Sequence, residues 1–301
     1  MIYLQEGEEF IEVKDWQEIS SRKNYSPDLN IKDRSLEKII GYYELPEKLK
    51  CGLSSCHTPH FKGYLVQTGD GSETNIGNAC GKKYFDVVFE QMSVDFLNAL
   101  EFAKLKAALT EAKKDIFPLW QKVNALAVGH KNVEWAIRLH EKVNNTDRIG
   151  YTAYRLLRDM FAANSGNVMS TRPPTREEIE LAQVSGQAVP QSVDIVVGFV
   201  SNIDFMSPDN DIKTLYNNDL RGTVQALQDC DLNKISRTKM KPIVKGLNSM
   251  DDNIEKTQHR INIARQFFVK ENLAQLLEGM TRNKNIGQAD IQRFRDFVET
   301  L

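Results

Sequence analysis

The sequence has no long apolar run. Its best stretch, Ile195 to Val200, is interrupted by Gly198 and falls far short of the ~18 residues that a membrane-spanning helix needs. It has little net charge: 39 Lys and Arg stand against 41 Asp and Glu, a balance of −2. That argues against a wholesale polyanion binder while leaving room for local patches. Cysteine is scarce, with 4 residues in 301, which does not make a disulfide framework for a chain of this size. A basic presequence is missing as well. The first residues carry Glu6, Glu8, Glu9 and Glu12, the wrong charge for a secretory or mitochondrial leader. No P-loop, G-x-G-x-x-G, H-E-x-x-H or G-x-S-x-G motif occurs, so the common nucleotide, zinc-protease and α/β-hydrolase signatures are absent. S-x-x-K strings, among them those starting at Ser20 and Ser236, have no partner motif. These absences lead to the expectation of a soluble, cytoplasmic protein with no membrane partner and no assigned catalytic residue.

What cysteine there is falls together. Cys51, Cys56 and Cys80 lie within a short span, whereas Cys230 stands alone. Between Cys56 and Cys80 come His57 and His60, and one imidazole would complete a Cys3His shell of the kind that holds structural zinc. Thiolate and imidazole donors favour zinc over magnesium or calcium. His57 adjoins Cys56, and neighbouring side chains in a tight turn diverge. His60 follows Pro59, where the chain can fold back, and is the preferred fourth ligand, with His57 the alternative. A closed shell of four leaves no site for water, so the Zn2+ is expected to be structural. A metal-dependent hydrolase is a minor alternative that requires one of the four ligands to be wrong.

The flanking residues suit a small finger. Gly52 reads as loosening the loop after the first cysteine. Tyr64 to Thr68 reads as a strand, Gly69-Asp70-Gly71 as a turn, and Thr74 to Ile76 as the returning strand. Cys80 then opens a helix whose N-terminal dipole favours a thiolate. The string Cys56, His60, Gly63, Tyr64, Val66, then Asp70-Gly71, then Ile76, Gly77, Cys80, Gly81, Lys83 and Phe85 resembles a treble-clef-like zinc-finger module of uncharacterised bacterial and phage proteins. The resemblance covers mainly residues 51–85 and implies Cys51, Cys56, His60 and Cys80 as the ligands. The sequence departs from common treble clefs in having four residues, not two, between Cys51 and Cys56. The resemblance supplies a module and no activity.

Elsewhere the periodicity is mostly that of helices. Ile2 to Leu4 and Phe10 to Val13 read as short strands, and Arg34 to Ile40 as a helix with Asp33 at its N-cap. Phe89, Met92, Phe96, Ala99 and Ala103 recur at helical spacing. Val133 to Val143 and Tyr151 to Phe161 read as further helices. Residues 165–194 are rich in Gly and Pro and read as a linker, with a Thr175/Glu178 capping box inside it. Val193 to Val200 fits a strand or a buried helical turn. Ile254, Ile261, Ala264, Phe268, Leu276 and Met280 mark one long amphipathic helix, as in half of a coiled-coil pair. The expected fold is therefore mainly α. A small α+β zinc module (about 46–86) within an N-terminal region (1–86) is followed by a helical region (87–164), the linker (165–194) and a mainly helical C-terminal region (195–301).

Two ligand classes follow for such a recognition module. Nucleic acid is the first, through Lys62, Lys82 and Lys83 of the finger and a basic stretch holding Lys234, Arg237, Lys239, Lys241 and Lys245 against Asp231 alone. The second is a protein partner or a second copy of the chain, bound through the long helices as in an adaptor of phage–host or defence type.

Overall fold

A computed structural model describes all residues from Met1 to Leu301. Contacts divide the chain into two compact units. The first comprises Met1–Glu111 and Leu232–Lys241, the second Ala112–Asp231 and Pro242–Leu301.

In the first unit, β1 (Ile2–Glu6) and β2 (Glu9–Val13) form a hairpin, with Gly7 in the left-handed region at φ 64°. The short helix α1 (Trp16–Ser20) starts at Asp15, whose carboxylate accepts from the backbone N–H groups of Gln17 and Glu18. Three further strands follow: β3 (Leu36–Lys50), β4 (Pro59–Thr68) and β5 (Glu73–Gly77). All pair antiparallel in the order β2-β1-β3-β4-β5. Helix α2 (Asn78–Lys114) comes next, broken at Asp86, where φ is 48°. Alternation along β4 sends Tyr64 and Val66 to one face and Leu65 to the other. The first face packs on Phe89, Phe96 and Leu100 of α2, with Tyr64 against Phe89 and Phe10 against Phe96, each at 5.3 Å between ring centroids. The second packs on Trp16, Ile19 and Tyr25. A sheet covered on both faces has no solvated side to advertise a strict period of two.

The second unit is helical apart from one ribbon. It contains α3 (Ile116–Ala125), α4 (Val133–Val143), the single turn α5 (Thr146–Ile149) and α6 (Tyr151–Ala162). Strand β6 (Asn167–Arg172), helix α7 (Arg176–Val184) and strand β7 (Val193–Phe199) come next, and β6 pairs antiparallel with β7. A 3-10 turn (Ile203–Met206), the short α8 (Ile212–Thr214), a π-helical stretch (Leu215–Gly222) and α9 (Thr223–Asp229) follow. Helix α10 (Arg237–Asn248) contains the unit boundary, and α11 (Met250–Phe267), α12 (Lys270–Arg282) and α13 (Gln288–Glu299) complete the chain. Phe205, Phe267, Phe268, Phe294 and Phe297 form an aromatic centre in this core.

Three expectations are corrected. The fold is an α+β mix rather than mainly α, with 55% helix and 19% strand. Arg34 to Ile40 is not a helix: Leu36 begins the long strand β3, and register shifts along its pairing with β4 blur the alternation that would have marked it. The single helix expected from Ile254 to Met280 is two, α11 and α12, separated at Phe268 and Val269. Beyond these corrections, the segment read as a linker holds β6, and its capping box opens the short helix α7 as that box implies. No helix is long and apolar enough to cross a membrane.

Candidate metal centre

Cys51 follows directly on β3, Cys56 lies in the loop before β4, and Cys80 sits in the first turn of α2. Backbone hydrogen bonds fix the loop. Cys51 N–H donates to Thr58 O (3.1 Å), Cys56 N–H to Leu53 O (2.9 Å), Gly52 N–H to Asn75 O (2.8 Å) and Leu29 N–H to Gly52 O (2.7 Å). Gly52 does not loosen this loop; it lets the chain lie against β5, because a Cβ there would stand 2.2 Å from Thr74 Oγ1.

The three sulfurs lie within 4.8 Å of one another, and Cys56 Sγ to Cys80 Sγ is 3.1 Å. All are free thiols. Tetrahedral zinc with Zn–S bonds of about 2.3 Å would space its sulfurs by roughly 3.8 Å, so modest adjustment places all three on one ion. Cys51 and Cys80 are buried and Cys56 half-buried. Burial pushes the Cys51 thiol up, and it pushes Cys80 up to about 12 with help from Cys56. At Cys56 burial opposes ionisation, but hydrogen bonding to Thr58 and to the other two cysteines outweighs it and draws the thiol down to about 7. The Cys56 proton is the most readily lost, while burial first and the neighbouring sulfurs second hold the other two. Three together need a cation between them.

Neither histidine joins the group. His60, the preferred fourth ligand, lies with Nε2 2.5 Å from Tyr43 Oη and Nδ1 3.0 Å from Thr58 O. Tyr43 Oη already accepts from Asn75 Nδ2 at 3.2 Å, so its own proton goes to His60 Nε2, and Nδ1–H donates to the carbonyl. Burial lowers the His60 pKa, in keeping with this neutral ring, which rests on Gly77. Around it, Asn75 Nδ2 also donates to Lys50 O (2.8 Å), and Tyr25 Oη donates to Asn75 Oδ1 (2.7 Å). Burial pushes Tyr25 up to about 12 and Tyr43 higher still. This network under the loop was missed as a unit in the sequence. Its one signal there was the Gly41-Tyr42-Tyr43 run, because Asn75 and Tyr25 are brought in only by folding. His57, at φ 50°, has Nδ1 3.2 Å from Cys51 O and Nε2 3.4 Å from Asp28 Oδ1.

The candidate basic contacts are dispersed. Lys62 pairs with Glu44 (2.8 Å) and Lys82 with Glu90 (2.6 Å). Lys83 lies over the Tyr84 ring at 5.1 Å. Arg237 and Lys241 both reach Glu101 of α2, at 3.3 and 2.7 Å. Lys234 lies in the turn before α10, Lys239 is exposed on that helix, and Lys245 belongs to the second unit. Two charges of the stretch, Arg237 and Lys241, are thus answered by a carboxylate.

No family model, curated protein or solved structure matches the chain.

Proposed function

We propose that the first unit is a zinc-ordered recognition module of treble-clef-like build. The observation that carries this reading is the convergence of Cys51, Cys56 and Cys80 from three separate segments. Zinc is the metal favoured by three thiolates in a closed-valence, redox-silent role. It ties the end of β3, the loop before β4 and the start of α2 together, and its binding energy becomes folding energy of that corner. Support for the treble-clef-like build comes from the order of parts: a loop with two cysteines, the β4–β5 hairpin, and a third cysteine in the first turn of a helix. Metal analysis of the purified chain should give one zinc, lost on substituting any one of the three cysteines by serine. A chain that retains no zinc, or a Cys56→Ser variant that retains it fully, overturns the reading.

The ligand we propose for the module is single-stranded nucleic acid. In its favour is a cleft beside the cysteine loop lined by Trp16, Tyr25, Pro27, Lys50 and His57, which offers rings for stacking and a cation for phosphate. This moves the reading away from Lys62, Lys82, Arg237 and Lys241, whose charges are answered by carboxylates. Mobility shifts with single-stranded DNA and RNA should appear at low salt, fade as salt rises, and weaken several-fold in Trp16→Ala and Lys50→Ala. No shift at low salt with either sinks it. A protein partner is the second reading, favoured by Val87, Val94 and Leu97 exposed on α2. It would show instead as a complex or dimer that persists at raised salt.

A further inference from the structure

The three cysteines account for three corners of a tetrahedron, and zinc is four-coordinate in structural sites. The residues that could supply the fourth corner are all otherwise engaged. His60 has spent both nitrogens: Nε2 accepts from Tyr43, itself fully buried and held by Asn75, and Nδ1–H donates to Thr58 O. Freeing Nε2 would strip the buried Tyr43 hydroxyl of its acceptor and leave a buried donor unpaired. Gly77 seats the ring, with ring atoms 3.0 Å from where a Cβ would be. His57 faces acceptors on both sides, the Cys51 carbonyl and the Asp28 carboxylate. Neither of its nitrogens falls within the group formed by the three sulfurs. Cys230 belongs to the second unit, and no other cysteine, histidine or carboxylate falls within the group.

The three known corners also differ in exposure. Cys51 and Cys80 are sealed within the core on Leu53, Ile76 and Phe89, and Cys56 is only half-buried, beside the exposed Ser54, Ser55, His57 and Thr58. The open side of the cluster is the Cys56 side. There Thr58 Oγ1 lies 3.3 Å from Cys56 Sγ, a hydroxyl that can turn to donate once the thiol has lost its proton.

From this geometry we propose that the metal held by Cys51, Cys56 and Cys80 takes its fourth ligand from outside the protein, a water that a small-molecule thiol displaces. The proposal rests on the zinc reading above. The exchange breaks one metal–oxygen bond and forms one metal–sulfur bond; water leaves, and the thiol's proton passes to solvent. A thiol is the class favoured because it is soft, like the three donors already present, and because a metal ion lowers a bound thiol's pKa. The centre would then order the loop and also bind thiols reversibly.

Cobalt-substituted full-length chain and 2-mercaptoethanol provide the test, together with X-ray absorption on the zinc form. The zinc form should show three sulfurs and one light atom, without the outer-shell scattering of an imidazole. Adding 2-mercaptoethanol to the cobalt form should increase the sulfur-to-cobalt charge-transfer band as three sulfurs become four. His57→Ala should leave both spectra unchanged. Imidazole scattering in the zinc form overturns the proposal, as does a band that does not respond to the thiol or one altered in His57→Ala. Because the wild-type absorption measurement needs no substitution, a poorly folding variant does not decide the matter. Failure to retain any metal defeats the zinc reading itself, whereas a metal bound through an imidazole defeats only the exchangeable fourth ligand.

Discussion

At the residue scale, the first unit is organised by close approaches that only glycine permits. Gly52 sits where a Cβ would meet Thr74 Oγ1 at 2.2 Å and Asn75 Oδ1 at 2.8 Å. Thr74 cannot yield easily, since its one hydroxyl proton is shared between Ser26 O (2.7 Å) and Gly52 O (3.0 Å), and Asn75 is held by Tyr43, Tyr25 and Lys50. Gly52→Ala should therefore destabilise the first unit by about 1–3 kcal/mol, read as a lower midpoint in urea denaturation of the full chain. It should also weaken zinc retention, because Gly52 adjoins Cys51. An unchanged midpoint would show that the loop has more room than these distances allow. Gly63 plays a similar part against Tyr43, whose ring and hydroxyl come within 2.6 Å of its would-be Cβ.

At the element scale, α7 shows how a local signal survives inside a segment that otherwise reads as linker. Thr175 accepts from Glu178 N–H, and the Glu178 carboxylate accepts from Thr175 N–H at 2.7 Å. Arg172, at the end of β6, adds two hydrogen bonds to the same carboxylate, at 2.7 and 2.8 Å. Arg172 first and the Thr175 backbone second hold Glu178 down to about 2. A folded-state pKa below the unfolded value of about 4.3 means the contribution is present above that value and is lost as pH falls towards 2. NMR titration of the Glu178 carboxyl carbon should give a midpoint near 2, moving up in Arg172→Ala. A midpoint at the ordinary glutamate value would show that the capping box does not persist in solution. The α11–α12 break is the opposite case. The apolar stripe runs on through Phe268, but the backbone leaves helical geometry there (φ −84°, ψ 49°), and the Phe268 ring packs with Phe205 and Phe267 at 4.8 and 5.0 Å between centroids.

At the scale of the whole molecule, the two units draw on different sources of stability. The second buries a large aliphatic and aromatic cluster with no metal cysteines in it. The first has two smaller clusters, and Cys51 and Cys80 belong to one of them. Removing zinc should therefore loosen the first unit locally, since the metal's binding energy is folding energy there. Hydrogen exchange after chelation should rise at 50–60 and 78–86, with the helices around Phe205 and Phe267 still protected. Uniform loss of protection, or no change at the loop, would contradict this division.

The sequence by itself determined what depends on near neighbours. The β4–β5 hairpin with its Asp70-Gly71 turn, α4 and the capping box of α7 are encoded within a few residues by turn preference and cap chemistry, and donor type alone marks Cys51, Cys56 and Cys80 as a set. Tertiary structure alone decided what depends on distant partners. Strand β3 exists because β1 and β4 lie on either side of it, although its first residues have a helical look. His60 has the spacing of a ligand, yet it faces Tyr43, seventeen residues away, because β3 and β4 pair across that distance. Of the basic residues that read as contacts, Lys62 and Lys82 of the finger are answered by Glu44 and Glu90, and Arg237 and Lys241 of the later stretch by Glu101. Spacing tells which donors can meet; strand pairing and burial tell which still have a lone pair to give.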